Sequence, residues 1–191
     1  MWNKLTANEL IDWFSQQRVS VDLTDVDVDL LREYTKDAKR YVEIGTKYGG
    51  SALVVASGIN HPIVDTYDIL DYTDSEYFIG QEEFIKNNEL RSIINFHIEK
   101  SPEAAKNYVG TIDTLFIDGA HDYQSVLEDY AGWLPNIITN SVIIFHDYAP
   151  HSPGVIKVCD TFIVGNPRFE VLRKPTLEKR DASSMFIARK I

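Results

Sequence analysis

The chain has 191 residues, 44% of them hydrophobic and 25% charged, which is the composition of a globular protein long enough for one domain with a substantial core. Its 29 acidic and 19 basic residues give a net charge of -10, which argues against nucleic-acid backbones and anionic membranes as main partners. Cys159 is the only cysteine, which excludes a disulfide framework and a cysteine-based zinc site. We expect a single domain over residues 1–191 in the reducing cytoplasm, without a signal peptide or a membrane span.

Two helices are predicted at the N-terminus. Thr6 and Glu9 have the spacing of a capping box, and apolar residues follow them at helical intervals. A second amphipathic helix is predicted over residues 26–36, with several acids in its first turns. We expect residues 1–38 to cover one end of a sheet that belongs to a core over residues 40–191.

A strand, a glycine loop and a small-residue helix are predicted over residues 41–57. This order is the nucleotide-site plan of doubly wound sheets, in which the ligand lies outside the carboxyl ends of the strands and over the helix N-terminus. The glycines stand at Gly45, Gly49 and Gly50, which is neither the G-x-G-x-x-G pattern of a dinucleotide binder nor a Gly-Lys-Ser/Thr phosphate loop. The pattern predicts a nucleotide-like site of another kind.

The next strand, predicted over residues 63–68, ends in Asp68. This acid follows the glycine-loop strand at about the spacing, roughly 20 residues, at which an acid binds the ribose hydroxyls in doubly wound sheets. Asp65 competes for this role, but its position in the middle of the strand makes it the weaker candidate.

A polar and aromatic stretch, residues 72–88, follows, and its pattern fits either a lid or a loop that leads into a helix. A third strand is predicted over residues 93–98 and a helix over residues 102–108. Ser101 stands between these two elements, beyond the carboxyl end of the strand.

The most informative stretch is a strand, helix and strand unit over residues 112–148. Two apolar runs, 114–117 and 142–145, each end in acid and histidine, and the segment between them has apolar residues at helical spacing that Pro135 closes. The two strands of such a unit run parallel, so their acidic ends emerge at the same edge of the sheet.

Four polar residues follow these strand ends: Asp118, His121, His146 and Asp147. If the strands are neighbours, about 4.8 Å apart, the four side chains can converge on one small ligand. Three of the five histidines in the chain, His151 included, lie just beyond these strand ends, which favours a site. The simpler alternative is that the two acids cap turns after strands.

The C-terminal part completes an α/β protein. A helix is predicted over residues 153–164, and two strands are predicted over residues 169–173 and 184–188. The alternation of strands and helices predicts a Rossmann-like, doubly wound, mostly parallel sheet, and the closing strands predict a C-terminal antiparallel pair.

The charges around the glycine loop indicate which ligand it binds. Glu43 stands two residues before Gly45, and Asp118 ends a strand that is expected nearby. These acids would repel a pyrophosphate, whereas they attract a ligand with an ammonium and a sulfonium group. The electrostatics therefore favour S-adenosylmethionine over NAD or a nucleoside triphosphate.

Several motifs together resemble those of one family. They are YVEIGTKYGGSAL, the strand end at Asp68, Ser101, LFIDGAHDYQSVLEDYAGW and IIFHDY. The chain resembles the class I S-adenosylmethionine-dependent methyltransferases, and within them the branch of the macrocin-type sugar O-methyltransferases, with catechol and caffeoyl-coenzyme A O-methyltransferases as more distant relatives. The resemblance covers residues 41–148 and implies a seven-stranded sheet with a reversed final strand.

The resemblance also implies roles for individual residues. The methionine end of the cofactor would be framed by Glu43, Gly45, Thr46, Gly49, Gly50 and Ser51. Asp68 would hold the ribose hydroxyls, Ser101 would lie near the adenine, and Asp118 would face the cofactor. The chain begins close to its first predicted helix, so we expect no long N-terminal extension of the kind that forms a substrate lid in the family.

A metal site is implied in the same way. In the metal-dependent branch of the family, a divalent metal is bound by an acid at the place of Asp118 and by an acidic or amide pair at the place of His146 and Asp147. Since the pair here is His-Asp, an imidazole replaces one oxygen ligand. Magnesium prefers oxygen ligands, so the resemblance leaves magnesium, a softer ion and no metal all open.

The predicted function is methyl transfer from S-adenosylmethionine to a hydroxyl oxygen of a small-molecule acceptor, a sugar or a phenol. A metal on Asp118 and Asp147 would lower the pKa of that hydroxyl, and His121, which stands where the sugar enzymes of the family carry their base, would accept its proton. Two other functions stay open: a module that binds the cofactor without transferring its methyl group, and a metal-dependent hydrolase. The sequence does not identify the acceptor, and it fits a homo-oligomer as well as a monomer.

Overall fold

The computed structural model describes residues 4–70, 76–88, 90–177 and 182–191. Within these residues the helices are α1 (Ala7–Gln16), α2 (Asp25–Thr35), α3 (Gly50–Ala56), α4 (Glu76–Asn87), α5 (Ser101–Asn107), α6 (Tyr123–Trp133) and α7 (Pro153–Phe162). The strands are β1 (Arg40–Ile44), β2 (Ile63–Asp68), β3 (Ile94–Ile98), β4 (Ile112–Ile117), β5 (Ile137–Phe145), β6 (Phe169–Arg173) and β7 (Phe186–Lys190). None of the described helices has the length and apolar character that crossing a membrane requires.

The seven strands form one sheet in the order β3-β2-β1-β4-β5-β7-β6. The first five strands in this order are parallel, and β7 is antiparallel to both of its neighbours. This confirms the predicted fold class, a Rossmann-like, mostly parallel seven-stranded sheet with a C-terminal antiparallel pair. The strand order reverses between β1 and β4, and ligands of open α/β sheets bind at such a reversal, outside the carboxyl ends of the strands.

Alternate residues of the strands serve two hydrophobic cores on opposite faces of the sheet. On one face, α1, α2 and α3 bury apolar side chains that include Phe14 and Leu31. On the other face, α5, α6 and α7 bury Trp133 and Cys159. Burial raises the pKa of the Cys159 thiol, so this residue is a structural part of the core.

Capping boxes begin both N-terminal helices. At α1, the Glu9 amide donates to Thr6 Oγ1 and the Thr6 amide donates to Glu9 Oε2, as the sequence predicts. At α2 the equivalent pair is Thr24 and Asp27, with Asp27 in the place that glutamate usually takes. The second box matters for the site, because the Asp27 side chain also faces the carboxyl ends of the strands.

Most predicted elements lie within a few residues of the observed ones, although β5 begins at Ile137, five residues before the predicted run, and the last strand is shifted towards the C-terminus. The last strand begins at Phe186, two residues later than predicted, because Ser184 bonds elsewhere: its carbonyl accepts from the Tyr148 amide and its hydroxyl from the Asp147 amide. In the stretch interpreted as a lid or a loop with a helix, residues 76–87 form α4, whereas residues 72–75 lie outside the described residues.

Candidate active site

A cavity of about 1000 Å³ opens at the carboxyl ends of β1, β2, β4 and β5. Its wall is built by the segments that follow these strands, by the start of α5, by one face of α6, and by the connection between α1 and α2. The cavity therefore lies at the reversal of strand order, where the fold predicts a ligand.

The glycine loop after β1 lies directly against the end of β4. Gly45 has a φ of +96°, and a Cβ atom there would stand 2.1 Å from the carbonyl oxygen of Asp118, so only glycine fits. Gly50 begins α3 and is equally close to the α1–α2 connection, because a Cβ atom there would stand 2.2 Å from the Ser20 carbonyl oxygen. Four residues predicted at the methionine end of the cofactor line the cavity: Gly45, Thr46, Gly50 and Ser51.

Glu43 and Gly49, the other two residues predicted at that end, do not form part of the described wall. The Glu43 carboxyl group is fully buried beneath the loop, where the Tyr41 hydroxyl (2.8 Å) and the Thr66 hydroxyl (2.9 Å) donate to it. Burial raises the pKa of Glu43 to about 7, although these bonds and the nearby Ser51 hydroxyl oppose the change. Glu43 thus supports the loop from below.

Asp68 ends β2 and lines the cavity, as predicted for the residue that binds a ribose. Its carboxylate accepts hydrogen bonds from the backbone amides of Lys47 (2.9 Å) and Leu70 (3.0 Å), which fix its orientation. The competing residue, Asp65, is bonded to Asn95 and His97 on the neighbouring strand β3 and is not on the described wall.

Ser101 is the first residue of α5 and lies on the wall beside the buried acid Asp129 of α6. The Trp133 indole N–H donates to the Ser101 hydroxyl (2.9 Å). Burial raises the pKa of Asp129 to about 6, although the neighbouring Ser101 hydroxyl opposes the change. Asp129 was missed from the sequence, although it is the one acid on a helix face otherwise formed by Val126, Tyr130 and Trp133.

Asp118, His121 and Asp147 form a compact group at the other end of the cavity. One potential ligand atom from each lies within 4.8 Å of the other two, and His121 Nε2 stands 3.0 Å from Asp147 Oδ2. Asp147 has a φ of +56°, which is rare for a residue other than glycine and often marks a functional position. Two carboxylates and an imidazole could hold a divalent cation, or the acids could orient the histidine.

His146 lies behind this group and contacts three acids. Its Nδ1 stands 3.3 Å from Asp118 Oδ1 and 3.2 Å from Asp147 Oδ2, and its Nε2 stands 3.6 Å from Asp27 Oδ2. Burial alone would lower the pKa of His146, but the three carboxylates raise it to about 12. A protonated imidazole has no lone pair for a metal. Of His121 and His146, His121 is therefore the better ligand in this arrangement, while the predicted ligand His146 is a cation paired with the acids.

Asp27 brings the N-terminal helices into the site. Its Oδ2 accepts from both the amide (3.0 Å) and the hydroxyl (2.7 Å) of Thr24 while it faces His146. Burial would raise the pKa of Asp27, but His146 and the hydrogen bonds lower it to about 2. The sequence signal was the Thr24-x-x-Asp27 pattern, which predicts a cap but not its distant partner.

Residues 42–148 match a family described as a methyltransferase domain. The chain is also 32% identical over 147 residues to an uncharacterized protein of Acanthamoeba polyphaga mimivirus, covering 71% of this chain and 64% of the viral protein. An uncharacterized protein of Sinorhizobium fredii is 28% identical over 118 residues, covering 57% of this chain and 13% of that protein. The chain thus spans less than two thirds of the length of these relatives.

Three solved structures show how widely the fold is shared. A Staphylococcus aureus protein assigned to the caffeoyl-CoA O-methyltransferases has a TM-score of 0.71 at 16% identity, covering 98% of this chain and 93% of that one. An O-methyltransferase from Bacillus cereus in complex with SAH has a TM-score of 0.68 at 18% identity, covering 97% and 90%. TomG from Streptomyces achromogenes, an O-methyltransferase involved in tomaymycin synthesis and solved with SAM, has a TM-score of 0.65 at 14% identity, covering 96% and 87%.

At these identities the structural similarity establishes the fold alone. The family match, in contrast, spans more than half of the chain, from β1 to Tyr148 just beyond β5. It includes the glycine loop and the group of Asp118, His121 and Asp147. The protein therefore belongs to this methyltransferase-domain family.

Proposed function

We propose that the protein transfers the methyl group of S-adenosylmethionine to a hydroxyl oxygen of a small molecule, a sugar or a phenol. The observation that carries this proposal is the single cavity that joins the glycine loop and Asp68 to the group of Asp118, His121 and Asp147. The family supports methyl transfer, and the complexes of the Bacillus cereus enzyme with SAH and of TomG with SAM support the cofactor.

The wall residues suit the cofactor in charge and position. Bound S-adenosylmethionine would supply a methyl group activated by its sulfonium. Asp118 on the wall favours its cationic ammonium and sulfonium groups, whereas the wall acid Asp22 is already paired with Lys47, and Asp68 offers a carboxylate to the ribose hydroxyls. Ser51 offers a hydroxyl group beside the glycine loop, whereas the Thr46 hydroxyl is bonded to the Thr66 hydroxyl (2.6 Å), which in turn donates to the buried Glu43.

His121 is the proposed base for the acceptor hydroxyl. Its Nε2 is 3.0 Å from Asp147 Oδ2, so this nitrogen can donate to the carboxylate and leave Nδ1 to accept the proton of the acceptor. Asp147 then stabilises the imidazolium that forms, and the neighbouring His146 is already engaged by acids and cannot take this role.

A divalent metal fits the same three residues. Asp118, His121 and Asp147 present two oxygen ligands and one nitrogen ligand, a set that suits a transition metal better than magnesium. A metal held there would lower the pKa of an acceptor hydroxyl. Because His121 cannot be a ligand and a base through the same nitrogen, chelator sensitivity is the measurement that separates the two arrangements.

The proposal is tested by binding and by transfer. Isothermal titration calorimetry should detect SAH binding to the protein, and no binding would refute the proposed function. Transfer of a labelled methyl group to a panel of sugars and phenols tests the reaction itself. Binding without transfer to any acceptor would instead favour a module that binds the cofactor and serves another purpose.

His121→Ala tests the role of the proposed base. We expect transfer to fall about 10²- to 10⁴-fold, the usual contribution of a general base, with SAH affinity nearly unchanged. His61→Ala is the matched control, because this exposed histidine bonds the Ala56 carbonyl far from the cavity wall. Transfer at the wild-type rate by His121→Ala would show that this histidine is structural.

A further inference from the structure

The cavity wall includes a buried acid that methyl transfer does not use. Asp129 is 6% exposed and lies on the wall, on the face of α6 that packs against α5. Taking a carboxylate out of water is costly, and a carboxylate has about four lone-pair positions for hydrogen bonds. A bound group that donates to Asp129 would recover part of that cost.

The polar group beside Asp129 is oriented by a hydrogen bond. The Trp133 indole can only donate, and it donates to the Ser101 oxygen (2.9 Å). The proton of the Ser101 hydroxyl therefore points away from the indole and is available to the neighbouring Asp129, whose pKa this hydroxyl lowers. The arrangement of Trp133 and Ser101 therefore leaves Asp129 as a hydrogen-bond acceptor. A ligand group that donates a hydrogen bond would pair with this carboxylate on the wall.

The position of this acid matches one part of the proposed cofactor. In the proposed binding mode the methionine part lies at the glycine loop and the ribose at Asp68. The base then occupies the remaining part of the cavity, towards Ser101 at the start of α5 and Asp129 in α6. Among the groups of an adenine edge, the exocyclic 6-amino group is the one that can only donate. Building on the proposed function, we propose that Asp129 binds the 6-amino group of the cofactor's base and makes the site selective for adenine over a 6-oxo purine.

The chemical reason for selectivity is the exchange of a donor for an acceptor. A 6-oxo base places a carbonyl oxygen where the amino group stood, and this oxygen would face the Asp129 carboxylate with no proton between them. Sites with buried polar groups discriminate strongly when the partner group is lost, because the buried group is left unpaired.

The test compares two ligands that differ at this one position, SAH and its 6-oxo analogue S-inosylhomocysteine, by calorimetry. We expect the wild-type protein to bind SAH at least tenfold more tightly. In Asp129→Asn, whose amide can donate as well as accept, SAH should weaken about tenfold and the preference over the 6-oxo analogue should largely disappear. The carbonyl of asparagine can still accept from Ser101, so the variant should fold.

Asp12→Asn is the matched control, because it makes the same substitution at a position outside the described cavity wall. Asp12 is exposed on α1, so this variant should keep the wild-type ratio of affinities. If the wild-type protein binds both ligands equally, or if Asp129→Asn retains the wild-type ratio, the proposal for Asp129 is refuted while the proposed function stands. Failure of the wild-type protein to bind SAH at all refutes both.

Discussion

At the scale of single residues, Gly45 determines whether the cavity can form. Its left-handed backbone turns the chain at the end of β1, and its missing side chain lets the loop approach the Asp118 carbonyl. This approach brings the loop proposed for the cofactor next to the acids proposed for the acceptor. Gly110 and Gly165 also have a positive φ, but open space surrounds them, so they serve only the turn in which they lie.

Comparing Gly45→Ala with Gly165→Ala separates the cost of a left-handed backbone from the cost of close packing. Gly165→Ala should cost about 1 kcal/mol in the free energy of unfolding, since only a left-handed backbone is penalised. Gly45→Ala should cost about 3 kcal/mol or more, because its methyl group also displaces the backbone at Asp118. Urea unfolding measures both values, and SAH affinity should fall at least tenfold in the Gly45 variant alone. Equal costs for the two variants would contradict the close packing.

The residues that the sequence predicted well are those placed by the sheet itself. Asp118, His121, His146 and Asp147 meet because parallel neighbouring strands bring their carboxyl ends to one edge, and that outcome depends only on strand order. Side-chain direction was harder to predict. Glu43 lies in β1, and its side chain lies below the glycine loop, where Tyr41 and Thr66 donate hydrogen bonds to it. These partners are brought together by packing between strands, which the local sequence does not reveal.

At the scale of elements, α2 contributes directly to the site. The helix packs on the sheet through residues such as Leu31, and this places Asp27, at the start of the helix, 3.6 Å from His146. The family match begins at residue 42, so this contact joins a segment outside the match to the acids within it. Sequence patterns could predict the helix and its cap, whereas the contact with His146 arises from long-range packing.

Asp27→Asn tests this contact by removing one charge with little change in shape. His146 would keep its own charge in a buried position with one acid fewer, and breaking a buried ion pair in this way should lower the free energy of unfolding by about 3 kcal/mol. Asp29→Asn, on the exposed face of the same helix, is the control and should change stability by less than about 0.5 kcal/mol. Similar small effects for both variants would show that Asp27 serves only as a cap.

At the scale of the whole molecule, the buried acids make stability depend on pH. Burial raises the pKa of Glu43 from 4.5 to about 7, and that of Asp129 from 3.8 to about 6. Between the unfolded and folded pKa values, the folded protein retains protons that the unfolded chain releases. Raising the pH through this window therefore lowers the free energy of unfolding, in addition to the repulsion expected from a net charge of -10.

Glu43→Gln should remove the larger part of this dependence. A shift from 4.5 to about 7 corresponds to about 3 kcal/mol of stability that is present below pH 4.5 and is lost as the pH rises through 7. In the variant, the amide carbonyl can still accept from Tyr41 or Thr66, so the fold should persist while the decline between pH 5 and 8 becomes shallower by about that amount. The remaining slope would include the contributions of Asp129 and, above pH 6.5, of His146, whose pKa is raised from 6.5 to about 12 in the folded protein. Urea unfolding at a series of pH values measures the slope, with Glu33→Gln on the exposed face of α2 as the control for a simple change in net charge.

An unchanged slope in Glu43→Gln would mean that the carboxyl group beneath the glycine loop is ionised throughout this range, and that its bonds to the two hydroxyl groups outweigh the cost of its burial.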